Sequence, residues 1–256
     1  MLPLRERIRV RFSPRILRLA HFGRGWSGVP RECRTVPVTP QGERDDWRPA
    51  AAELDRQLAA TGARGAALEL VLSNHLVRYA LLPWMEGLGD EDESLAYARH
   101  LFESTYGEDA SAWQICLGDR RRGEPRVAAA AAAELVEELR RSATAHGLRF
   151  ERLLPTLSYA TDRLLLKPAI LQGWLACAEP DRVCLMRIED GIWSQIVNAR
   201  ADGDVTELLQ SLLEQDALAS GLSAKTAQVL LAAGTGIDLL RLRASGWQVV
   251  QAAESI

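Results

Sequence analysis

At 256 residues the chain is long enough for two lobes with cores of their own, and its 47% hydrophobic and 25% charged residues are ordinary for a globular protein. A net charge of −3 excludes a broadly basic surface for nucleic acid, and no apolar run reaches the about 18 residues of a membrane-spanning helix. The four cysteines (Cys33, Cys116, Cys177, Cys184) lack C-x-x-C spacing and the four histidines (His21, His75, His100, His146) are scattered, so no metal site is read from them.

The opening M-L-P-L-R-E-R-I-R-V lacks the apolar core of a signal peptide, and a cytoplasmic location is expected. Ile8 to Phe12 and Arg15 to Phe22 read as the first strands, followed by the Gly-rich turn Gly23-Arg24-Gly25 and an edge strand over Cys33 to Val38, bounded by prolines. Asp45-Asp46 opens a helix with Trp47, Ala51, Leu54 and Leu58 at helical spacing, and Gly62 ends it. From Gly65 to Trp84 two apolar, alternating segments flank the polar turn Ser73-Asn74-His75. Asp90 to Gly107 is a helix, its acidic cluster Asp90 to Glu93 being a helix-start signal and not a metal site.

Trp113 to Leu117 is a strand, Arg120 to Glu124 a charged turn, and Pro125 to Ala130 the return strand. A helix over Ala131 to His146, a strand over Arg149 to Leu154 and a helix from Pro155 to Leu166 follow. Beyond Lys167-Pro168, taken as the lobe boundary, Trp174 to Ala178 and Arg182 to Arg187 are strands around Glu179-Pro180-Asp181. Asp190-Gly191 marks a hairpin to Ile192–Ala199. Asp204 to Ser220 is an amphipathic helix, Gln228 to Ala233 a strand, Ile237 to Ala244 a short helix, and Trp247 to Ala252 the last strand. The pattern is a mixed α/β class.

The span from Val71 to Leu166 resembles PilM-type and GspL-type proteins, the actin-like cytoplasmic components of type IV pilus and type II secretion inner-membrane platforms. The resemblance lies in the order of V-R-Y-A-L-L-P, the acid-started helix D-E-D-E-S-L-A-Y-A-R-H-L-F, the strand W-Q-I-C-L, the step V-A-A-A-A-A-A-E-L-V-E-E-L and the close A-H-G-L-R-F-E-R-L-L-P-T-L-S-Y-A. It implies two RNase H-like lobes, the first formed by residues 1–74 and 148–167 with a small subdomain inserted at 75–147, and the second by 168–256. It also implies a scaffold holding the cytoplasmic tail of a membrane partner, with an assembly ATPase as a further partner. Whether the alanine-rich and leucine-rich helices also pair two copies is left open.

Actin-like ATPases hold phosphates on the backbone N–H groups of Gly-rich hairpins and place the metal with acids. The first such hairpin is matched to Arg18–Gly28, where Gly23 and Gly25 remain but no aspartate does; the second is matched to Cys184–Trp193, with Arg187 near the expected acid. Gly234 and Gly236 echo the adenosine-side turn. A non-catalytic scaffold without cofactor is therefore expected. An ATP-binding protein, with Gly23, Gly25, Gly234 and Gly236 lining the cleft, is the alternative. A small-molecule kinase of the same superfamily would have to use Asp162 or Asp181, and no nuclease acid cluster or hydrolase motif is present. Arg78, Trp84 and Tyr97, beside the insert, are the expected partner-binding residues.

Overall fold

Alternation of apolar and polar residues makes Arg7–Phe12 the first strand, β1, with Ile8, Val10 and Phe12 buried and Arg7, Arg9 and Arg11 on the other face. The computed structural model describes residues 5–25, 29–39, 41, 45–86, 90–164, 172–223, 227–234 and 236–251. In it β1 forms a hairpin with β2 (Ile16–Phe22), which pairs with the exposed edge strand β3 (Glu32–Pro37). Helix α1 (Arg48–Thr61) crosses to β4 (Ala67–Leu72), parallel to β1. The helix starts later than Asp45-Asp46: Asp46 Oδ1 accepts from the Arg48 N–H at 3.1 Å, while Asp45 turns away to Arg200 (2.7 Å) and Arg182 (3.4 Å).

At Leu72 the chain leaves this sheet. β5 (Arg78–Leu82), α2 (Glu91–Tyr106), β6 (Trp113–Leu117) and β7 (Arg126–Ala132) make a separate antiparallel sheet in the order β5-β7-β6. The acidic start of α2 is a capping box: Asp90 Oδ1 accepts from the Glu93 N–H at 2.7 Å, and Glu93 accepts from the Asp90 N–H. Ala98 and Phe102 of α2 bury against Leu82, Ala128 and Ala130.

Helix α3 (Ala133–Ala145) and strand β8 (Arg149–Pro155) then return, with β8 parallel to β4, so the first sheet reads β3-β2-β1-β4-β8. The sequence reading groups the α3 segment with the insert. Its Leu135, Leu139 and Ala143 instead enter the core shared with Leu54 and Leu58 of α1 and with Ile8, Val10 and Leu70. Burying a leucine of this kind stabilises by roughly 2 kcal/mol.

Helix α4 (Thr156–Leu164) precedes a second five-stranded sheet. It is built from β9 (Gln172–Glu179), β10 (Arg182–Glu189), β11 (Ile192–Arg200), α5 (Val205–Ser220), β12 (Gln228–Gly234), α6 (Leu239–Ala244) and β13 (Gln248–Gln251), ordered β11-β10-β9-β12-β13. Both large sheets thus consist of a three-strand meander followed by parallel strands. Gly173 makes the tight approach of β9 to β12 possible: with φ 145°, a Cβ there would lie 2.1 Å from the Gln228 carbonyl oxygen. One face of the second sheet packs on Leu209, Leu213 and Leu242. The other buries Cys177, Cys184 and Met186 against Leu157 and Ala160 of α4, so an apolar layer joins the two lobes. The lobe boundary expected at Lys167-Pro168 lies outside the described residues.

Candidate functional site

Parallel strands align their carboxyl ends, and in α/β sheets the crevice outside those ends is where ligands bind. Here β1, β4 and β8 end at Phe12, Leu72 and Pro155, while β9 and β12 end at Glu179 and Gly234. The two sets face each other across an interlobe cleft. Its hairpin turns are Ser13-Pro14-Arg15 and Pro180-Asp181, and Arg15 reaches Asp181 Oδ2 across it at 3.1 Å.

These turns differ from the ones matched in the sequence. Gly23 and Gly25 follow β2 at the end where Phe22 pairs with Arg7, the opposite edge of the sheet from the cleft. Asp190-Gly191 likewise closes the far end of the β10–β11 hairpin. Gly234 sits at the cleft end of β12, in register with Ala178, and Gly236 adopts φ 79° before α6; Thr235 between them lies outside the described residues. The four glycines therefore do not converge. Each cleft turn instead carries a proline, Pro14 or Pro180, which has no backbone N–H to offer an anion.

Side chains fill the cleft. The turn Ser73-Asn74-His75, where the chain passes from β4 toward the insert, is buried under the second lobe. Glu179 Oε2 accepts from the Asn74 N–H at 2.7 Å and from the Ser73 hydroxyl at 3.1 Å. His75 Nε2 lies 2.6 Å from Asp181 Oδ1, and Nδ1 lies 2.8 Å from Ser73 Oγ. Asn198 of β11 donates to the carbonyls of Asn74 (2.9 Å) and Val77 (3.0 Å), and the Tyr79 hydroxyl donates to Asn74 Oδ1 at 2.7 Å. Asp181 holds a left-handed backbone, φ 56°, which aspartate tolerates better than most residues. Both of its oxygens are engaged, one by His75 and one by Arg15. Among the described residues, a void in the cleft bordered by Arg11, Ser13, Arg18, Ser73 and Glu179 measures about 80 Å³, against the roughly 300–1,000 Å³ of small-molecule sites.

Burial pushes the Glu179 carboxyl above its ordinary value; His75, the Asn74 N–H, the Ser73 hydroxyl and Arg11 pull the other way without cancelling it. For Asp181 burial also opposes ionisation, but the His75 hydrogen bond, with the charges of His75, Arg15 and Arg200, outweighs it and holds the carboxyl below its usual range. The signs are opposite. Glu179, raised in the folded state, contributes stability that is complete below the ordinary glutamate pKa and is lost as pH rises through its raised value. Asp181, lowered, contributes above the ordinary aspartate pKa and loses that contribution as pH falls through its lowered value. Glu179→Gln keeps the acceptor without the buried charge, so urea midpoints measured from pH 4 to 7 should decline less with rising pH than those of the parent chain.

A second concavity, about 510 Å³, lies between the first lobe and the insert. Its walls are Val136, Arg140 and Thr144, a stripe at four-residue spacing on α3; Phe150, Glu151 and Leu153 of β8; and Gln114 and Cys116 of β6. Leu72, Val77 and Ala129–Ala131 also line it. The β7 residues on that side are alanines, which end at Cβ and leave space beside α3. Among the described residues, β6 and β8 are both edge strands. The Gly118 N–H donates to the Val127 carbonyl, so by antiparallel alternation the amides of Gln114 and Cys116 bond to β7 and those of Ile115 and Leu117 turn outward.

The expected partner residues lie elsewhere. Arg78 folds back onto the carbonyls of His75 (3.1 Å) and Val77 (3.2 Å). Tyr97 is half-buried against the insert core, and Trp84, 38% exposed, follows β5. None of the three lines the groove. Asp162 is exposed on α4. Cys177 and Cys184 are buried cross-strand partners, with burial pushing the Cys177 thiol up to about 12, whereas Cys33 and Cys116 are exposed. Among the described residues no cluster of His, Cys, Asp or Glu is placed to hold a metal, and no helix is long and apolar enough to cross a membrane.

No protein-family model matches the chain, and no curated protein matches it. Solved structures do. The cytoplasmic domain of EpsL, an inner-membrane component of the type II secretion system of Vibrio cholerae, superposes with a TM-score of 0.59 at 12% identity, covering 98% of this chain and 90% of that one. A PilM–PilN type IV pilus biogenesis complex gives 0.66 at 15% identity, covering 98% and 89%. A Bacteroides thetaiotaomicron protein of actin-like ATPase fold and unknown function gives 0.65 at 10%, covering 98% and 91%. The repeated sheet order, the insert after β4 and these likenesses agree: the chain has the actin-like fold, in a form similar to that of the type II secretion and type IV pilus components.

Proposed function

We propose that this chain is a non-catalytic, cytoplasmic, actin-like scaffold of a type IV pilus or type II secretion assembly platform. In this reading it holds an extended segment from the cytoplasmic tail of a membrane-anchored partner in the groove between α3, β8 and the insert sheet. The carrying observation is that groove: about 510 Å³, floored by alanines and bordered by two unpaired sheet edges. An extended peptide can add a strand to such an edge, its main chain supplying affinity and alternate side chains entering the pocket. One structurally similar solved structure is itself a PilM–PilN complex, which supports a protein partner. An assembly ATPase is a second candidate partner.

The same reading leaves the interlobe cleft without nucleotide, because Glu179, Asp181, His75 and Arg15 satisfy one another there. The test is calorimetric titration with peptides covering the cytoplasmic tails of membrane proteins encoded beside this chain, alongside thermal unfolding in Mg-ATP. Saturable peptide binding with no thermal shift in millimolar Mg-ATP is expected. A ligand at a hundred times its dissociation constant stabilises by about 2.7 kcal/mol, so a clear shift with Mg-ATP and no peptide binding would reverse the assignment.

A further inference from the structure

Among the described residues, none of the second lobe lines the groove, yet the second lobe holds the segment that joins two of the groove's lining residues. Leu72 and Val77, both in the groove lining, bracket the passage Ser73–Leu76. That passage is gripped from the other side. Glu179 takes the Asn74 N–H and the Ser73 hydroxyl, Asp181 meets His75, and the Asn198 amide spans the carbonyls of Asn74 and Val77. Val77 thus both lines the groove and gives its carbonyl to Asn198 on β11. The grip is also incompletely satisfied: Asn74 Nδ2 and Asn198 Oδ1 are buried without a hydrogen-bond partner. A buried polar network with open positions is held less deeply than a fully paired one, which suits an element with two arrangements.

From this we infer that the second lobe is a clasp that sets the shape of the groove. Release of Asn198 and of the Glu179–Asp181 turn from Ser73–Val77 loosens the lining at Leu72 and Val77 and weakens the hold on the bound segment, and occupancy of the groove tightens the clasp in return. The inference rests on the groove being the partner site, but its first consequence is measurable on the chain alone.

Cys116, an exposed residue whose thiol in the groove lining is pushed above its ordinary value by burial, reports on the groove, while Cys184, buried in the layer between the lobes, reports on general opening. In a Cys33→Ser background the rate of iodoacetamide alkylation at each thiol is followed by mass spectrometry. Asn198→Ala, which removes the bond to Val77, should raise the rate at Cys116 about fivefold, the low end of ordinary allosteric couplings, with Cys184 unmodified. Asp181→Asn should do the same from the turn side and serves if Asn198→Ala does not fold. An unchanged rate at Cys116, or a rise matched by Cys184, overturns the clasp. Whether a tail peptide shields Cys116 in the parent chain is a separate result: failure there removes the groove assignment, while the peptide-free rates still decide the clasp.

Discussion

Gln114→Trp should weaken partner binding roughly 5- to 150-fold while leaving the fold intact. Gln114 is exposed on the edge strand β6 and its side chain lines the groove. An indole there occupies space that the β7 alanines leave open, so the bound segment must be displaced or strained. Overpacking costs about 1–3 kcal/mol, which corresponds to roughly a 5- to 150-fold weaker complex. The substitution touches no core residue and tryptophan suits a strand, so unfolding stability should stay within about 0.5 kcal/mol of the parent. Titration and urea melts on the same preparation separate the two quantities. Unaltered affinity would place the partner on another surface, for which exposed Trp84 is the next residue to test.

His75→Ala should be the most destabilising change in the interlobe network, by about 3 kcal/mol. The imidazole is 5% exposed and stands between the carboxylates of Asp181 (2.6 Å) and Glu179 (3.8 Å). Its removal leaves Asp181 with Arg15 and Glu179 with Ser73 and Asn74, inside a layer where unpaired charge is costly. A double-mutant cycle with Asp181→Asn should return a coupling of at least about 1 kcal/mol, since the two side chains touch. A His75→Ala chain within 0.5 kcal/mol of the parent, by the same melts, would show that the lobes are held by the apolar layer around Leu157, Cys177 and Met186 alone.

Much of this molecule is legible in one dimension. Period-two alternation marks Arg7–Phe12, and the acids before Ser94 mark the start of α2, because both signals arise from neighbours in sequence. The passage at Ser73-Asn74-His75 is legible as a polar turn. Its importance is not, since His75 and Asp181 are 106 residues apart and meet only when both sheets direct their carboxyl ends to one cleft. The same limit explains the misplaced phosphate loops. Gly23 and Gly25 carry a strong local turn signal, whereas the hairpin that reaches the cleft is the less conspicuous Ser13-Pro14-Arg15, selected by strand direction. The alanines of β7 read as a strand running into a helix, and they do form one; the groove they leave depends on where α3 and β8 come to lie. Cys116, on the apolar strand W-Q-I-C-L, faces that groove for the same reason.

Amide hydrogen exchange of the full chain, with and without a saturating tail peptide and separately with Mg-ATP, tests the scaffold assignment most directly. Peptide-induced protection should appear along β6, β8 and α3, with none from Mg-ATP at Ser13–Arg15 or Glu179–Asp181. Protection of those two turns by Mg-ATP, with β6 and β8 unchanged by peptide, would contradict it.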